Sequence, residues 1–189
     1  MPWFDDVSER LAAASILRID DDTLLRAAVL VPMFVQAHEL WVLLTTRAGS
    51  LALHGGEIAF PGGAVDPGDE DETATALREA HEELGIDEVA VMILGQLSDV
   101  VTASGYLVAP VVGAVPFPLS LEPAPGEVEA VLSIPLSALA NPRLVELQSI
   151  EVGGEAIESP VYHLPGATIR GATARIVADL VERITSPQR

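Results

Sequence analysis

The chain has 189 residues, 49% of them hydrophobic, and this length suits one domain with a substantial buried core. It contains no cysteine, which excludes disulfides, thiolate metal sites and cysteine nucleophiles. The formal net charge is -18 and all ten positive side chains are arginines, which excludes a Walker A lysine and disfavours broad nucleic-acid binding. The acidic start and the lack of a long apolar run indicate neither a signal peptide nor a membrane span, so we expect a cytoplasmic protein.

Apolar residues recur with helical spacing near both termini and in strand-like runs between them. The predicted elements are, in chain order, an N-terminal helix over about 4–18, strands over 27–35 and 40–46, a Gly, Pro and Asp-rich loop over 49–71 with a short strand at 57–60, a helix over 72–84, strands over 89–97, 106–115 and 127–134, and a C-terminal helix over about 168–185. Pro32 lies inside the first strand and indicates an edge position or a bulge. The apolar face of the last helix is either core or a dimer surface, and we favour core. This order predicts one α/β (α+β) domain over residues 1–189, built in layers.

Negative charge is concentrated between residues 57 and 88, which hold eleven acidic residues and one arginine, Arg78. Glu79, Glu82 and Glu83 fall within an arc of about 100° on a helix that advances about 100° per residue. Like charges at these spacings destabilise a helix, whereas a hard divalent cation takes several oxygen ligands and would turn the repulsion into a binding site. An ordinary solvated acidic face is the alternative, and for such a pattern alone it is the commoner one.

The loop before this helix makes the metal-site interpretation more specific. Phe60-Pro61-Gly62-Gly63 places two glycines where the backbone can approach a ligand closely or turn a carbonyl toward a cation. A plain strand-ending turn is the alternative. The joint presence of the glycine turn, an acidic loop, an arginine and three aligned glutamates favours the cation site.

This combination resembles the Nudix box, G-x5-E-x7-R-E-U-x-E-E-x-G-U, where U is an aliphatic residue. Gly63 opens the motif, which spans residues 63–86, and its second half is complete over residues 78–86. Six residues rather than five separate Gly63 from Glu70. Asp69 satisfies the first spacing but breaks the second, so the early acidic position stays open between Asp69 and Glu70.

A wider stretch, about residues 43–86, resembles the coenzyme A pyrophosphatase branch of the Nudix hydrolases. The segments that carry this resemblance are Leu43-Leu44-Thr45-Thr46-Arg47, Leu53-His54-Gly55-Gly56-Glu57-Ile58-Ala59-Phe60-Pro61-Gly62-Gly63 and Thr75-Ala76-Leu77-Arg78-Glu79-Ala80. The resemblance is weaker over 127–131 and 171–175, and Arg170 stands where similar proteins often have an aromatic residue. It implies a Nudix α/β/α sandwich with a mixed β-sheet and a loop–helix–loop catalytic motif.

The resemblance also implies roles for the residues of the box. Glu79, Glu82 and Glu83, with the carbonyl of Gly63, are expected to bind Mg²⁺ or Mn²⁺, and Arg78 is expected to brace the acidic loop. The implied catalytic group therefore includes Glu82, Glu83 and Arg78.

Residues outside the helix complete the expected site. The base that deprotonates the attacking water is left open among Glu82, Glu127 and Glu129, and solvent-facing charge is an equal alternative for the last two. Arg47, His54 and Gly62 are expected to lie at the substrate, although a hydrogen bond within the loop is nearly as good an interpretation of His54.

The implied reaction is hydrolysis of a diphosphate linkage in coenzyme A or its acyl derivatives, giving phosphopantetheine and adenosine 3',5'-bisphosphate. Two alternatives remain, namely a Nudix pyrophosphatase for another nucleotide (a dinucleotide, a nucleotide sugar or a damaged nucleoside triphosphate) and a catalytically silent Nudix-fold binding domain. The expected partner is a small nucleotide, with neither nucleic acid nor membrane, and formation of a homodimer is left open.

Overall fold

A computed structural model describes residues 2–49, 56–152 and 154–186, which form four helices and eleven strands. The helices are α1 (Pro2–Ala13), α2 (Glu72–Leu84), α3 (Leu136–Leu139) and α4 (Gly171–Thr185). The strands are β1 (Leu25–Gln36), β2 (Glu39–Arg47), β3 (Ile58–Ala59), β4 (Gly62–Ala64), β5 (Met92–Gln96), β6 (Val100–Val101), β7 (Tyr106–Ala114), β8 (Val128–Pro135), β9 (Val145–Val152), β10 (Glu155–Leu164) and β11 (Ala167–Ile169).

Eight of the described strands form one mixed sheet around β1. β1 pairs in parallel with β7 over Leu25–Met33 and antiparallel with both β4 and β2 on its other side. β2 continues to β3 and β8, while β7 continues to β5 and β6, all in antiparallel pairs. The mixed sheet that the sequence predicts is therefore confirmed.

Helices cover both faces of this sheet. Because successive residues of a strand point to opposite faces, Leu30 of β1 packs with Ala80 and Leu84 of α2, whereas Val31 packs on the other face with Leu180 of α4. α1 lies on that second face, against β5 and α4. The expected α/β/α sandwich is confirmed, and within the described part of the chain α2 is the helix that covers the face with the acidic residues.

The expectation that Pro32 marks an edge strand or a bulge was wrong, because β1 lies in the middle of the sheet. On the side of β1 that faces away from β7, Ala27–Val29 pair with β4 and Met33–Gln36 pair with β2. Pro32 falls between these two pairings, where β1 changes partner. A residue without an N–H is tolerated there because no ladder hydrogen bond is lost.

Two expected helix boundaries were also wrong. α1 ends at Ala13 rather than near residue 18, because the following backbone is bound elsewhere: Leu17 N–H donates to Ser98 Oγ, and Ile19 N–H donates to the Asp99 carboxylate. α4 begins at Gly171 rather than near 168, because Ala167–Ile169 pair with β10 as β11.

Other parts of the chain also differ from the sequence prediction. The strand expected over 89–97 is limited to Met92–Gln96, since Glu88–Ala90 form a 3-10 turn with the Asp87 side chain at its start. The separate three-stranded sheet of β9, β10 and β11 was not predicted. The apolar alternation of β9 changes phase at Ser149, and every residue of the strand is exposed or half-buried, so its strand signal is weak.

No helix within the described ranges is both long enough and apolar enough to cross a membrane.

The apolar face of α4 belongs to the core, since Ala174, Val177 and Leu180 are fully buried within one chain. We expect Leu180→Ala to lower the free energy of unfolding by about 2–5 kcal/mol, because it removes buried methyl groups and leaves a cavity. Glu182→Ala, at an exposed position of the same helix, should change it by no more than about 0.5 kcal/mol. Urea unfolding at two protein concentrations measures both, and a midpoint that rises with concentration would instead indicate a dimer surface.

Candidate active site

The helix α2 has the bounds that the sequence predicts, Glu72–Leu84, because both of its ends are capped locally. The Asp71 side chain accepts a hydrogen bond from Ala74 N–H at the start. Gly85 takes the left-handed conformation, with φ 68°, at the end, and its N–H donates to backbone carbonyls of the last turn. The acidic residues are therefore held on a well-defined helix.

The glycine turn lies between α2 and the centre of the sheet. β4 pairs with β1 so closely that a Cβ atom on Gly62 would lie 2.6 Å from Val29 Cα. A Cβ atom on Gly63 would collide with the Glu79 carboxylate, which rests against the backbone there. Glycine is required at Gly62, where a side chain would meet the backbone of β1, whereas a side chain at Gly63 would displace the Glu79 carboxylate.

Glu83 is the most buried acidic residue of the site, with 4% of its surface exposed. Its carboxylate accepts a hydrogen bond from Gly62 N–H, and Arg47 Nη1 lies 3.6 Å from its Oε1. The pKa of Glu83 is raised to about 7, chiefly by burial; Arg47 opposes this rise, the charges of Glu79 and Glu127 add to it, and the Gly62 N–H opposes it. The site therefore carries a carboxyl group that changes charge near neutral pH.

Burial also raises the pKa of Glu79, although Arg78 opposes that effect. Arg78 Nη1 donates to Glu79 at 2.9 Å and to Glu82 at 3.1 Å. The Nε and Nη2 atoms of Arg78 donate to the two oxygens of Asp69 at 3.0 and 3.1 Å, and Nη2 also donates to the Ala64 carbonyl at 3.1 Å. All three nitrogens of this guanidinium are thus engaged, and Arg78 joins α2 to the acidic loop.

Asp69 occupies the position that the sequence left open between two acidic residues. Its carboxylate is 7% exposed and accepts hydrogen bonds from Arg78, from Thr75 Oγ1 at 2.8 Å and from Asp66 N–H at 2.9 Å. The bond from Arg78, followed by that from Asp66 N–H, holds the pKa of Asp69 well below its ordinary value. Glu70, in contrast, is exposed. The partner of Arg78 is therefore identified by the five-residue spacing after Gly63, which Asp69 satisfies, and not by the seven-residue spacing before Arg78, which Glu70 satisfies.

The segment before β8 contacts the end of α2 through its backbone. Ala124 N–H donates to the Glu83 carbonyl and Glu122 N–H donates to the Leu84 carbonyl, both at 2.8 Å. These bonds satisfy carbonyls that a helix end leaves free, and they hold Glu127 within electrostatic reach of Glu83. No sequence signal showed that this segment caps α2.

The remaining predicted residues are only partly brought together. Glu82 points outward from α2 with 56% of its side chain exposed, and Glu129 lies on β8 near Gly49. His54 falls outside the described residues. In the part of the chain that the structure describes, no three Asp, Glu or His side chains are arranged so as to hold a metal ion. Glu79 and Glu83 flank the glycine turn, whereas Glu82 is directed to Arg78.

Comparison with known proteins identifies this arrangement. The sequence model of the NUDIX domain matches residues 24–149. A protein of Photorhabdus laumondii named as an uncharacterized Nudix hydrolase, NudL, is 38% identical over 158 residues, which are 84% of either chain. Its namesake from Yersinia pestis is also 38% identical, over 162 residues that cover 85% of this chain and 80% of the relative. The chain therefore belongs to the Nudix family of hydrolases, enzymes that generally use divalent metal ions.

Solved structures agree at the level of the fold. A MutT/nudix family protein from Enterococcus faecalis gives a TM-score of 0.56 with 18% identity, over 95% of this chain and 73% of its own. A MutT protein from Methanosarcina mazei Go1 gives 0.54 with 19% identity, over 87% and 96%. An Ap4A hydrolase of C. elegans, solved as a binary complex, gives 0.51 with 27% identity over 60% and 82%.

We expect Asp69→Asn to lower the free energy of unfolding by about 1–3 kcal/mol, because Arg78, Thr75 Oγ1 and Asp66 N–H lose a charged acceptor. The matched change Glu70→Gln alters the neighbouring exposed carboxylate and should stay within about 0.5 kcal/mol. Urea unfolding of the two variants at neutral pH measures the difference. Equal effects would contradict the assignment of Asp69 as the partner of Arg78.

The raised pKa of Glu83 predicts a specific dependence of stability on pH. The folded state binds the Glu83 proton more tightly than the unfolded state, in which the pKa has its ordinary value of 4.5. The contribution of this proton to the free energy of unfolding is therefore fully present below about pH 4.5 and is lost as pH rises through about 7. In cation-free buffer, Glu83→Gln should therefore become more stable relative to the wild type between pH 5 and pH 8. Asp69 does not interfere, because its lowered pKa restricts its effect to pH values below about 4. Thermal midpoints across this range test the prediction, and a constant difference would contradict it.

Proposed function

We propose that this Nudix hydrolase cleaves the diphosphate linkage of coenzyme A or its acyl derivatives, releasing phosphopantetheine and adenosine 3',5'-bisphosphate. The observation that carries the proposal is the position of Glu79 against Gly63 and of Glu83 against Gly62, with Arg47 beside Glu83. Arg47 ends the strand whose sequence, Leu43-Leu44-Thr45-Thr46-Arg47, resembles the coenzyme A pyrophosphatase branch.

The types of donor at this turn suit Mg²⁺ or Mn²⁺, since such hard cations prefer carboxylate and carbonyl oxygens. We assign Glu79, Glu83 and the Gly63 carbonyl as ligands, and the side chains must move to surround an ion, since no three acidic or His side chains of the described residues already do so. Glu82 is exposed, so its side chain is free to turn from Arg78 and complete the set. When bound, the ion would screen the diphosphate oxygens, activate the attacking water and stabilise the leaving phosphate.

The protein's own residues then orient the reactants. Arg78 and Asp69 hold the acidic loop against α2 and so fix where Glu79 lies. Arg47 supplies a positive charge for a phosphate in an otherwise acidic region. Glu127 is favoured over Glu82 as the general base, because Glu82 is assigned to the metal ion whereas Glu127 lies close enough for its charge to act on Glu83.

Cleavage of a dinucleotide is the second candidate. The likeness to the Ap4A hydrolase of C. elegans, at 27% identity and a TM-score of 0.51, favours it. Both substrates contain a phosphate anhydride, so the residues of α2 and the glycine turn serve either reaction. The two candidates differ only in what flanks the anhydride.

A substrate panel with matched variants tests the proposal. We expect Mg²⁺-dependent hydrolysis of coenzyme A by the wild type and by Glu70→Gln, and a loss on the order of 10²–10³-fold in kcat/KM for Glu83→Gln, which removes a charged ligand from the site. Mass spectrometry of the products identifies the bond that is cleaved. Equal activity of Glu83→Gln would refute the site, and equal or better turnover of Ap4A or a nucleoside triphosphate would refute the preference for coenzyme A.

A further inference from the structure

The two arginines of the site are held in different ways. Arg78 forms hydrogen bonds through all three of its nitrogens, and its position is determined by four acceptor residues. Arg47 approaches Glu83 at 3.6 Å, a distance typical of an ion pair and beyond an ordinary hydrogen bond. With 31% of its side chain exposed, Arg47 can also reach solvent. Arg78 is therefore fixed, whereas Arg47 has room to change its partner.

The backbone of Arg47 is nevertheless firmly anchored. Its N–H donates to the Glu57 carbonyl at 2.9 Å, and its carbonyl accepts from Gly56 N–H at 2.8 Å. The next residue, Ala48, donates its N–H to the Glu127 carbonyl at 2.8 Å. Because the backbone is held in this way, a change of partner by Arg47 needs only rotation of its side chain and no rearrangement of the sheet.

Glu83 needs a nearby positive charge because water hardly reaches it. A buried carboxylate is costly unless it is paired, and one backbone N–H, that of Gly62, does not neutralise it. Glu79 and Glu127 add negative charge around it. Arg47 is the cation that lies within 4 Å of Glu83 in the described residues.

We propose that Arg47 pairs first with Glu83 and then with the diphosphate of the substrate. Arg47 neutralises Glu83 while no divalent cation is bound, and it moves to a substrate phosphate once the cation occupies Glu83. This inference rests on the proposed function. A divalent ion and a guanidinium compete for the same carboxylate and repel each other, and the arriving phosphate offers the displaced guanidinium a new partner. The exchange makes binding of the cation favour binding of the anionic substrate.

The first test is titration of the substrate-free protein with Mg²⁺ by calorimetry, at pH 9 so that Glu83 is ionised. Arg47→Gln removes the competing charge, and we expect its Kd for Mg²⁺ to fall roughly three- to tenfold below the wild-type value. Arg47→Lys keeps the charge and should remain near wild type. Arg26→Gln is the matched control, because Arg26 pairs with Glu72 at the other end of α2. A wild-type Kd in Arg47→Gln would overturn the proposal.

The second test compares thermal midpoints with and without saturating Mg²⁺. Without Mg²⁺, Arg47→Gln should melt below the wild type because Glu83 has lost its counter-ion. Saturating Mg²⁺ should reduce this difference, because tighter binding to the folded state stabilises the variant more than the wild type. A difference that Mg²⁺ leaves unchanged would show that Arg47 only packs the fold, and would overturn the proposal.

Neither measurement uses a substrate, so both are separate from the proposed function. Hydrolysis of coenzyme A by the wild type is assayed in parallel. Tighter Mg²⁺ binding by Arg47→Gln with no hydrolysis of coenzyme A would support the neutralisation of Glu83 and refute the substrate. Unchanged Mg²⁺ binding with normal hydrolysis would refute the exchange of partners and leave the function standing.

Discussion

The close approach of the Gly62–Gly63 backbone to both β1 and α2 is the constraint on which the site depends. The turn is paired with the central strand, and its lack of side chains lets the carboxylates of Glu79 and Glu83 rest against it. A larger residue at Gly62 would push the turn away from β1, and one at Gly63 would displace the Glu79 carboxylate. The contact of the glycine turn with β1 and α2 therefore contributes to the sandwich and also positions the carboxylates of Glu79 and Glu83.

This contact brings several carboxylates close together, and their negative charge is offset in two different ways. Around Asp69 the negative charge is offset permanently, because Arg78 donates to both oxygens of its carboxylate. Around Glu83 the offset is incomplete, since Arg47 lies beyond hydrogen-bond distance and burial raises the pKa. The fixed pairing with Arg78 stabilises the loop, whereas the negative charge of Glu83 that is not neutralised leaves a place for a cation. Full compensation at Glu83 would remove the reason for a cation to bind.

The sequence predicted what depends on local chemistry. The bounds of α2 followed from its capping residues, and the grouping of its glutamates followed from helical geometry. It did not predict what depends on distant partners, such as the early end of α1 at the contacts with Ser98 and Asp99 or the capping of α2 by the segment before β8. Pro32 misled because the rule for proline in strands assumes an unbroken ladder, whereas β1 changes partner there. The choice between Asp69 and Glu70 needed the loop's conformation, which spacing alone does not define.

The same division between local and distant determinants applies to substrate choice. In the proposed reaction, the residues of α2 and the glycine turn would act on the phosphate anhydride, which coenzyme A and dinucleotides share, so they would define the chemistry and not the flanking groups. Discrimination between such substrates requires contacts outside the anhydride. The candidates are elements where the resemblance to the coenzyme A branch is weakest, including Arg170, which is exposed at the start of α4 and forms no side-chain cap there. A positive charge at that position, in place of an aromatic ring, would favour a substrate with a further anionic group over one recognised by stacking.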